Sequence, residues 1–234
     1  MNKVIEICCT SIDDVIAARD GGAARIELCQ GISAGGLTPS PALTAAAIRE
    51  RGHLKINILI RPREGNFVYS RRELAVMEAD IVAAREAGAD GVVIGVLTPE
   101  NEIDIPAMKR LLSHCESLNV TFHRAFDVVK NHSLALEQII NLGIDRILTS
   151  GGAAAAPSGA ELIANLIKQA NGRIIIMPGA GISPQNIHML QQTTKATEFH
   201  STATDKSLPP PTDSPLFGPA PRPTSLEIVK TLCS

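Results

Sequence analysis

The chain has 234 residues, with 22 lysines and arginines against 24 aspartates and glutamates and a formal charge of −2. That balance gives no electrostatic reason to expect nucleic acid or an anionic membrane, and the length suits one large domain, an α/β barrel taking about 250 residues. Five cysteines, an odd number, argue against a secreted disulfide framework and for reduced thiols.

In chain order, short β-branched runs alternate with amphipathic stretches. Strands are expected over 4–9, 25–29, 55–61, 91–97, 119–125, 145–150, 173–178 and 197–202. Helices are expected over 11–21, 41–51, 71–87, 105–118, 133–142, 159–170 and 184–194, with a short one over 225–233. Ser11, Ser40-Pro41, Ser70, Asp104 and Ser183-Pro184 supply start signals, and Gly21, Gly52, Gly88, Gly143 and Gly172 suit left-handed helix ends. Eight such βα units predict a TIM-type (β/α)8 barrel over residues 1–204, closed by a short or irregular last helix over 224–234. A doubly wound open sheet is the alternative. It would want a glycine-rich turn after the first strand, and Cys8-Cys9-Thr10-Ser11 is not one, so no nucleotide cofactor is expected. Residues 205–223 are proline-rich and read as a long surface loop. No run reaches the roughly 18 apolar residues of a membrane span, and the first residues lead straight into strand-like sequence without a signal segment, so a cytoplasmic location is expected.

Strand periodicity then selects what faces the barrel interior. Glu6 and Cys8 share one face of the first strand, and Glu27 and Cys29 share one face of the second, with Ile5, Ile7, Ile26 and Leu28 opposite. A packed core has no use for two carboxylates, because an unpaired buried charge is costly. The interior therefore reads as a site. The same parity turns inward Asn57, Leu59 and Arg61 on the third strand, Thr121 and His123 on the fifth, Thr149 on the sixth, and Glu198 and His200 on the eighth, with Arg63, Arg124, Asp127 and Ser201 following them in the chain. The Met177-Pro178-Gly179-Ala180-Gly181 turn occupies a place where many barrels bind phosphate through backbone N–H groups. His53, His114, His132 and His188 read as surface residues, Cys115 and Cys233 as apolar filler, and Cys9 as a residue packed under a helix.

Several blocks resemble the CutC family, the copper homeostasis proteins. They are Glu6-Ile7-Cys8, Ala24 to Cys29, Gly35-Gly36-Leu37-Thr38-Pro39-Ser40, Ile60 to Arg63, Asp90-Gly91, Thr121 to Asp127, Leu148 to Gly152, Pro178 to Gly181 and Glu198 to Ser201. The resemblance covers nearly all of residues 1–204 in the same order. It implies a TIM-type barrel, a cytoplasmic protein, copper binding and a homo-oligomer, with a dimer favoured. It also implies Cu(I) as the metal, held by the thiolates of Cys8 and Cys29. The chain departs from the family's pattern after residue 204.

Two functions follow. In one, Cys8 and Cys29 bind Cu(I), a soft ion suited to thiolates, with His123 or His200 near. In the other, the barrel is an enzyme acting on a small phosphate or carboxylate metabolite. Arg61, Arg63, Arg124, Gly179, Gly181 and Ser201 would then hold the anion while Glu27, His123 or Glu6 move protons, with Asp127, Thr149, Glu198 and His200 completing the pocket. No lysine falls at an expected strand C-terminus, which argues against Schiff-base chemistry.

Overall fold

A computed structural model describes residues 3–207, 213–214 and 218–234. Eight strands alternate with helices: β1 (Val4–Cys9), α1 (Ile12–Asp20), β2 (Arg25–Leu28), α2 (Pro41–Glu50), β3 (Lys55–Leu59), α3 (Arg71–Glu86), β4 (Gly91–Ile94), α4 (Ile105–Leu112), β5 (Asn119–Phe122), α5 (His132–Asn141), β6 (Arg146–Thr149), α6 (Ala160–Ala170), β7 (Ile175–Pro178), α7 (Ile187–Thr194) and β8 (Glu198–Ser201). The strands pair in parallel in the order β7-β6-β5-β4-β3-β2-β1-β8. β7 and β8 touch without a hydrogen-bonded ladder, so the ring is a nearly closed TIM-type barrel with one seam. The strand pair β9 (Asp213–Ser214) and β10 (Gly218–Pro219) is antiparallel, and α8 (Leu226–Cys233) packs on α1 and β1.

The outward parity of each strand feeds one apolar layer between barrel and helices. Ile5, Ile7, Cys9, Ile26, Leu28, Ile56, Ile58, Val92, Ile94, Phe122, Ile147 and Phe199 all lie in it, Cys9 fully buried as its parity predicted. Each large aliphatic side chain so buried contributes about 1.5–3 kcal/mol, which leaves the interior face free for polar chemistry. A small second apolar group, Cys8, Cys29, Leu59 and Val93, lies inside the ring.

Ser11, Ser40, Ser70 and Asp104 cap their helices as expected, Ser11 and Ser70 within capping boxes completed by Asp14 and Glu73. Ser183 does not. The segment Ser183 to Asn186 is a turn whose Asn186 side chain accepts from the Ser183 N–H at 3.0 Å, and α7 starts only at Ile187. Gly21 keeps right-handed geometry at the end of α1, and Gly22, at φ +86°, takes the left-handed position. β3, β4 and β5 stop two or three residues short of their expected ends, and α4 ends at Leu112 rather than at 118. After β5 the chain turns at once into a 3-10 helix, Arg124–Val128. His132 is half-buried, edge-on to Phe126 at 5.3 Å, rather than a free surface residue.

The expected proline-rich loop over 205–223 lies largely outside the described residues. The chain on either side of it meets at the end of β8. Thr204 bridges Thr224, Ser225 N–H donates to Ala203 O at 2.9 Å, and Thr224 N–H donates to Asp14 Oδ1 at 2.8 Å. An insertion whose ends are pinned together costs little extra closure entropy.

Candidate metal centre and cavity

Register sets the interior. Glu6 of β1 lies opposite Arg25 of β2 on one side and His200 of β8 on the other, while Cys8 lies opposite Glu27. Deepest is a charged layer. Arg25 pairs with Glu6 and, at 2.6 Å, with Glu198, which also receives Arg146 Nε at 2.6 Å. Arg25 Nη2 approaches Met177 Sδ on β7 at 3.4 Å, and Arg146 Nη1 approaches Thr121 Oγ1 at 3.4 Å. Arg25 shares the parity of Glu27 and Cys29, yet the sequence reading passed over both it and Arg146. Each opens its strand, where a charged side chain ordinarily reaches solvent.

Burial alone would raise the Glu6 carboxyl, but the Arg25 guanidinium and the hydrogen bond with His200 hold it down at about 2. The His200 imidazole is the reciprocal case. Burial opposes its charge, yet Glu6, bonded to its Nδ1 at 2.8 Å, and nearby Glu27 raise it. Glu6 therefore contributes stability that is complete above about pH 4.5 and lost as the pH falls through about 2, worth about 3 kcal/mol. Urea melts between about pH 6 and 2 are expected to show that acid loss in the native protein and a flatter profile in Glu6→Gln. Glu27 pulls the other way. Burial pushes its carboxyl up to about 7, so it withdraws stability as the pH rises from about 4.5 toward 7.

Above the charged layer lies the centre itself. Cys8 Sγ is 3.5 Å from Cys29 Sγ, and both residues are buried, Cys29 completely. A carboxylate oxygen of Glu27, a ring nitrogen of His200 and the Cys8 sulfur all lie within 4.8 Å of one another. Glu27 Oε2 is buried with no hydrogen-bond partner. The hydrogen bond with Cys29, then burial, raises the Cys8 thiol well above the usual range, so in the metal-free protein it holds its proton. His200 is oriented by the Glu6 carboxylate behind it, the arrangement that fixes metal-ligating histidines. Two sulfurs, an oriented imidazole and an unpartnered carboxylate form a donor set that fits a soft metal ion.

The centre opens into a cavity of about 660 Å³ walled by Cys8, Glu27, Leu59, Arg61, Phe67, His123, Arg124, Leu148, His200 and Ser201. Residues 180–185 and 202–207, in the loops after β7 and β8, line it as well. Lys206 is among them, a lysine missed because it stands beyond the strand in the loop after β8. Cys29 is behind Cys8 and does not reach the cavity wall.

The residues expected to hold an anion divide sharply. Arg61 reaches the wall, though its terminal nitrogens donate to the carbonyls of Ala34 at 2.8 Å, Gly36 at 2.7 Å and Gly65 at 3.0 Å. Arg63 turns away, pairing with Glu73 and donating to the carbonyls of Glu64, Asn66 and Val68. It organises a loop outside the cavity. Arg124 stands at the rim, held by Asp127 at 2.8 Å and Ser150 Oγ at 3.0 Å. Asp127 and Thr149 are not cavity residues. Asp127 accepts from the Thr149 hydroxyl, from Ser150 N–H at 2.9 Å and from Gly152 N–H at 3.3 Å, knitting the turn after β6. Gly181 lines the cavity, whereas Gly179 is packed against Leu148 and His200, and a side-chain carbon there would stand 2.4 Å from a Leu148 methyl. Ser201 Oγ donates to Ile182 O at 2.9 Å and so ties the loops after β7 and β8 together.

Comparison with known proteins agrees with this architecture. The CutC family profile matches residues 3–205. A CutC family protein of Xylella fastidiosa strain Temecula1 is 47% identical over 199 residues, 85% of this chain and 74% of that protein. One from Bacteroides fragilis strain ATCC 25285 is 48% identical over 202 residues, 86% and 80% of the two chains. The crystal structure of a Streptococcus agalactiae CutC, named for copper homeostasis, superposes with a TM-score of 0.81 at 35% identity, covering 86% of this chain and 98% of that one. QR15, an aldolase, gives a TM-score of 0.67 at 16% identity over 86% and 90% of the chains, a likeness of fold alone. No described helix is long and apolar enough to cross a membrane. With its profile match, its relatives and its barrel in agreement, the chain belongs to the CutC family.

Proposed function

We propose that this protein serves copper homeostasis by binding one Cu(I) ion inside the barrel, through the thiolates of Cys8 and Cys29, with the His200 imidazole adjoining. The observation that carries this reading is the 3.5 Å approach of the two sulfurs beside Glu27 and His200. Thiolates select Cu(I) over harder cations, and the Glu6 carboxylate behind His200 supports the imidazole as a donor. Cys8 lies on the cavity wall, which gives the ion a way in. Glu27 would supply a nearby negative charge or take up a displaced proton.

The test is anaerobic titration of Cu(I) against a Cu(I)-selective chromophoric chelator. The native chain is expected to take up one equivalent, and the double variant Cys8→Ser, Cys29→Ser to take up none in competition while keeping its circular dichroism spectrum. A folded double variant that still withdraws one equivalent from the chelator removes the proposal.

A further inference from the structure

Away from the thiol pair, two residues that line the same cavity each carry a buried N–H without a partner. Arg61 is only 6% exposed and His123 only 5%. Arg61 Nε has no hydrogen-bond partner, and its terminal nitrogens donate to backbone carbonyls rather than to a carboxylate. A guanidinium this deep without an anion beside it is costly, and a bound anion would offset that cost. His123 Nδ1 accepts from Ala125 N–H at 3.2 Å, which places the proton of the neutral ring on Nε2, and Nε2 has no partner either. Burial and the Arg61 charge keep that ring neutral, pressing it down to about 3. Both side chains rest on one aromatic ring: Phe67 lies 5.3 Å from the Arg61 guanidinium and 4.9 Å from the His123 ring. The seat of His123 is built into the backbone. A side-chain carbon on Gly95 would stand 2.5 Å from its ring, so only glycine leaves room for it.

We infer that this wall is the binding site for a small organic carboxylate, held by the Nε–H of Arg61 and the Nε2–H of His123. Two N–H donors match a planar two-oxygen group, and the charge of Arg61 strengthens its bond to it. The body of the ligand would lie against Leu59, Leu148, Ile32 and Phe67, apolar residues of the same wall. A cavity of about 660 Å³ accommodates a molecule considerably larger than the anchoring group. A phosphate dianion would leave several oxygens facing these apolar side chains, which is why a carboxylate is the favoured class.

The site does not depend on copper, and its test uses the metal-free chain of 234 residues. Calorimetry with benzoate, benzamide and inorganic phosphate is expected to rank benzoate first, with benzamide at least about tenfold weaker for want of the charge. His123→Leu and Arg61→Lys are each expected to weaken benzoate about tenfold. Because Arg61 also ties three carbonyls, its variant is checked for folding. If it fails to fold, nitrogen NMR of the native protein still decides, since benzoate must shift the His123 Nε2 resonance. Absence of binding by all three probes, tighter binding of phosphate than benzoate, or benzoate binding indifferent to His123→Leu overturns the inference.

Discussion

Glu198→Ala is expected to destabilise the protein by about 3–5 kcal/mol, the loss typical of removing one partner from a buried ionic cluster. The substitution leaves Arg146, only 4% exposed, without its carboxylate, and leaves Arg25 with Glu6 alone. The cost is that of uncompensated buried charge rather than of lost contacts. Position adds to it. β7 and β8 form no ladder, and the ionic cluster bridges that seam from inside: Glu198 on β8 holds Arg146 on β6 and Arg25 on β2, while Arg25 also meets Met177 on β7. For a chain of this size the melting temperature is expected to fall by roughly 6–20 °C. Glu198→Gln, which keeps hydrogen-bond acceptance but not charge, is expected to lie between the native protein and the alanine variant. A loss below about 1 kcal/mol in urea melts of Glu198→Ala would mean that water already reaches these guanidinium groups.

This cluster marks where the sequence was legible and where it was not. Glu6, Cys8, Glu27 and Cys29 could be placed because period 2 holds along β1 and β2, and the structure turns those side chains inward. The same rule applied to Arg25 would have found the ion layer, but a charge that opens a strand looks like a solvent residue until its partners on other strands are known. Parity still holds one or two residues past a strand's end, as for Cys29, Arg61 and His123, and fails beyond that. β3 stops at Leu59, so Arg61 and Arg63, alike in sequence, go opposite ways, one to the cavity and one to the α3 cap residue Glu73. His123 faced inward as its parity predicted. The turn that uses its Nδ1 and leaves Nε2 bare depends on Arg124–Val128 folding as a 3-10 helix, which no residue pattern announced. Ser183-Pro184 carried a standard helix-start signal, and the neighbouring Asn186 captured the backbone first.

The second large effect concerns protons. Cu(I) affinity is expected to rise at least about tenfold for each pH unit between roughly pH 6 and 8, because a ligating cysteine must give up its proton. Cys8 is the residue that imposes this. Its hydrogen bond with Cys29 and its burial raise its thiol well above the usual range, so across that window the apo protein holds it protonated. Each thiol that gives up its proton to the ion adds one logarithmic unit of affinity for each unit of pH, and Cys8 supplies one such unit. His200, raised by Glu6 and Glu27, steepens the response at the acid end if its nitrogen also turns to the metal. The sign follows from the chemistry: acid favours the closed thiol pair and release of copper, alkali favours uptake. Competition titrations across the window should show that slope in the native chain and lose the Cys8 contribution in Cys8→Ser, where any remaining weak binding comes from the other donors. A pH-independent affinity, or a slope untouched by Cys8→Ser, would mean that the ion is held elsewhere than by this sulfur.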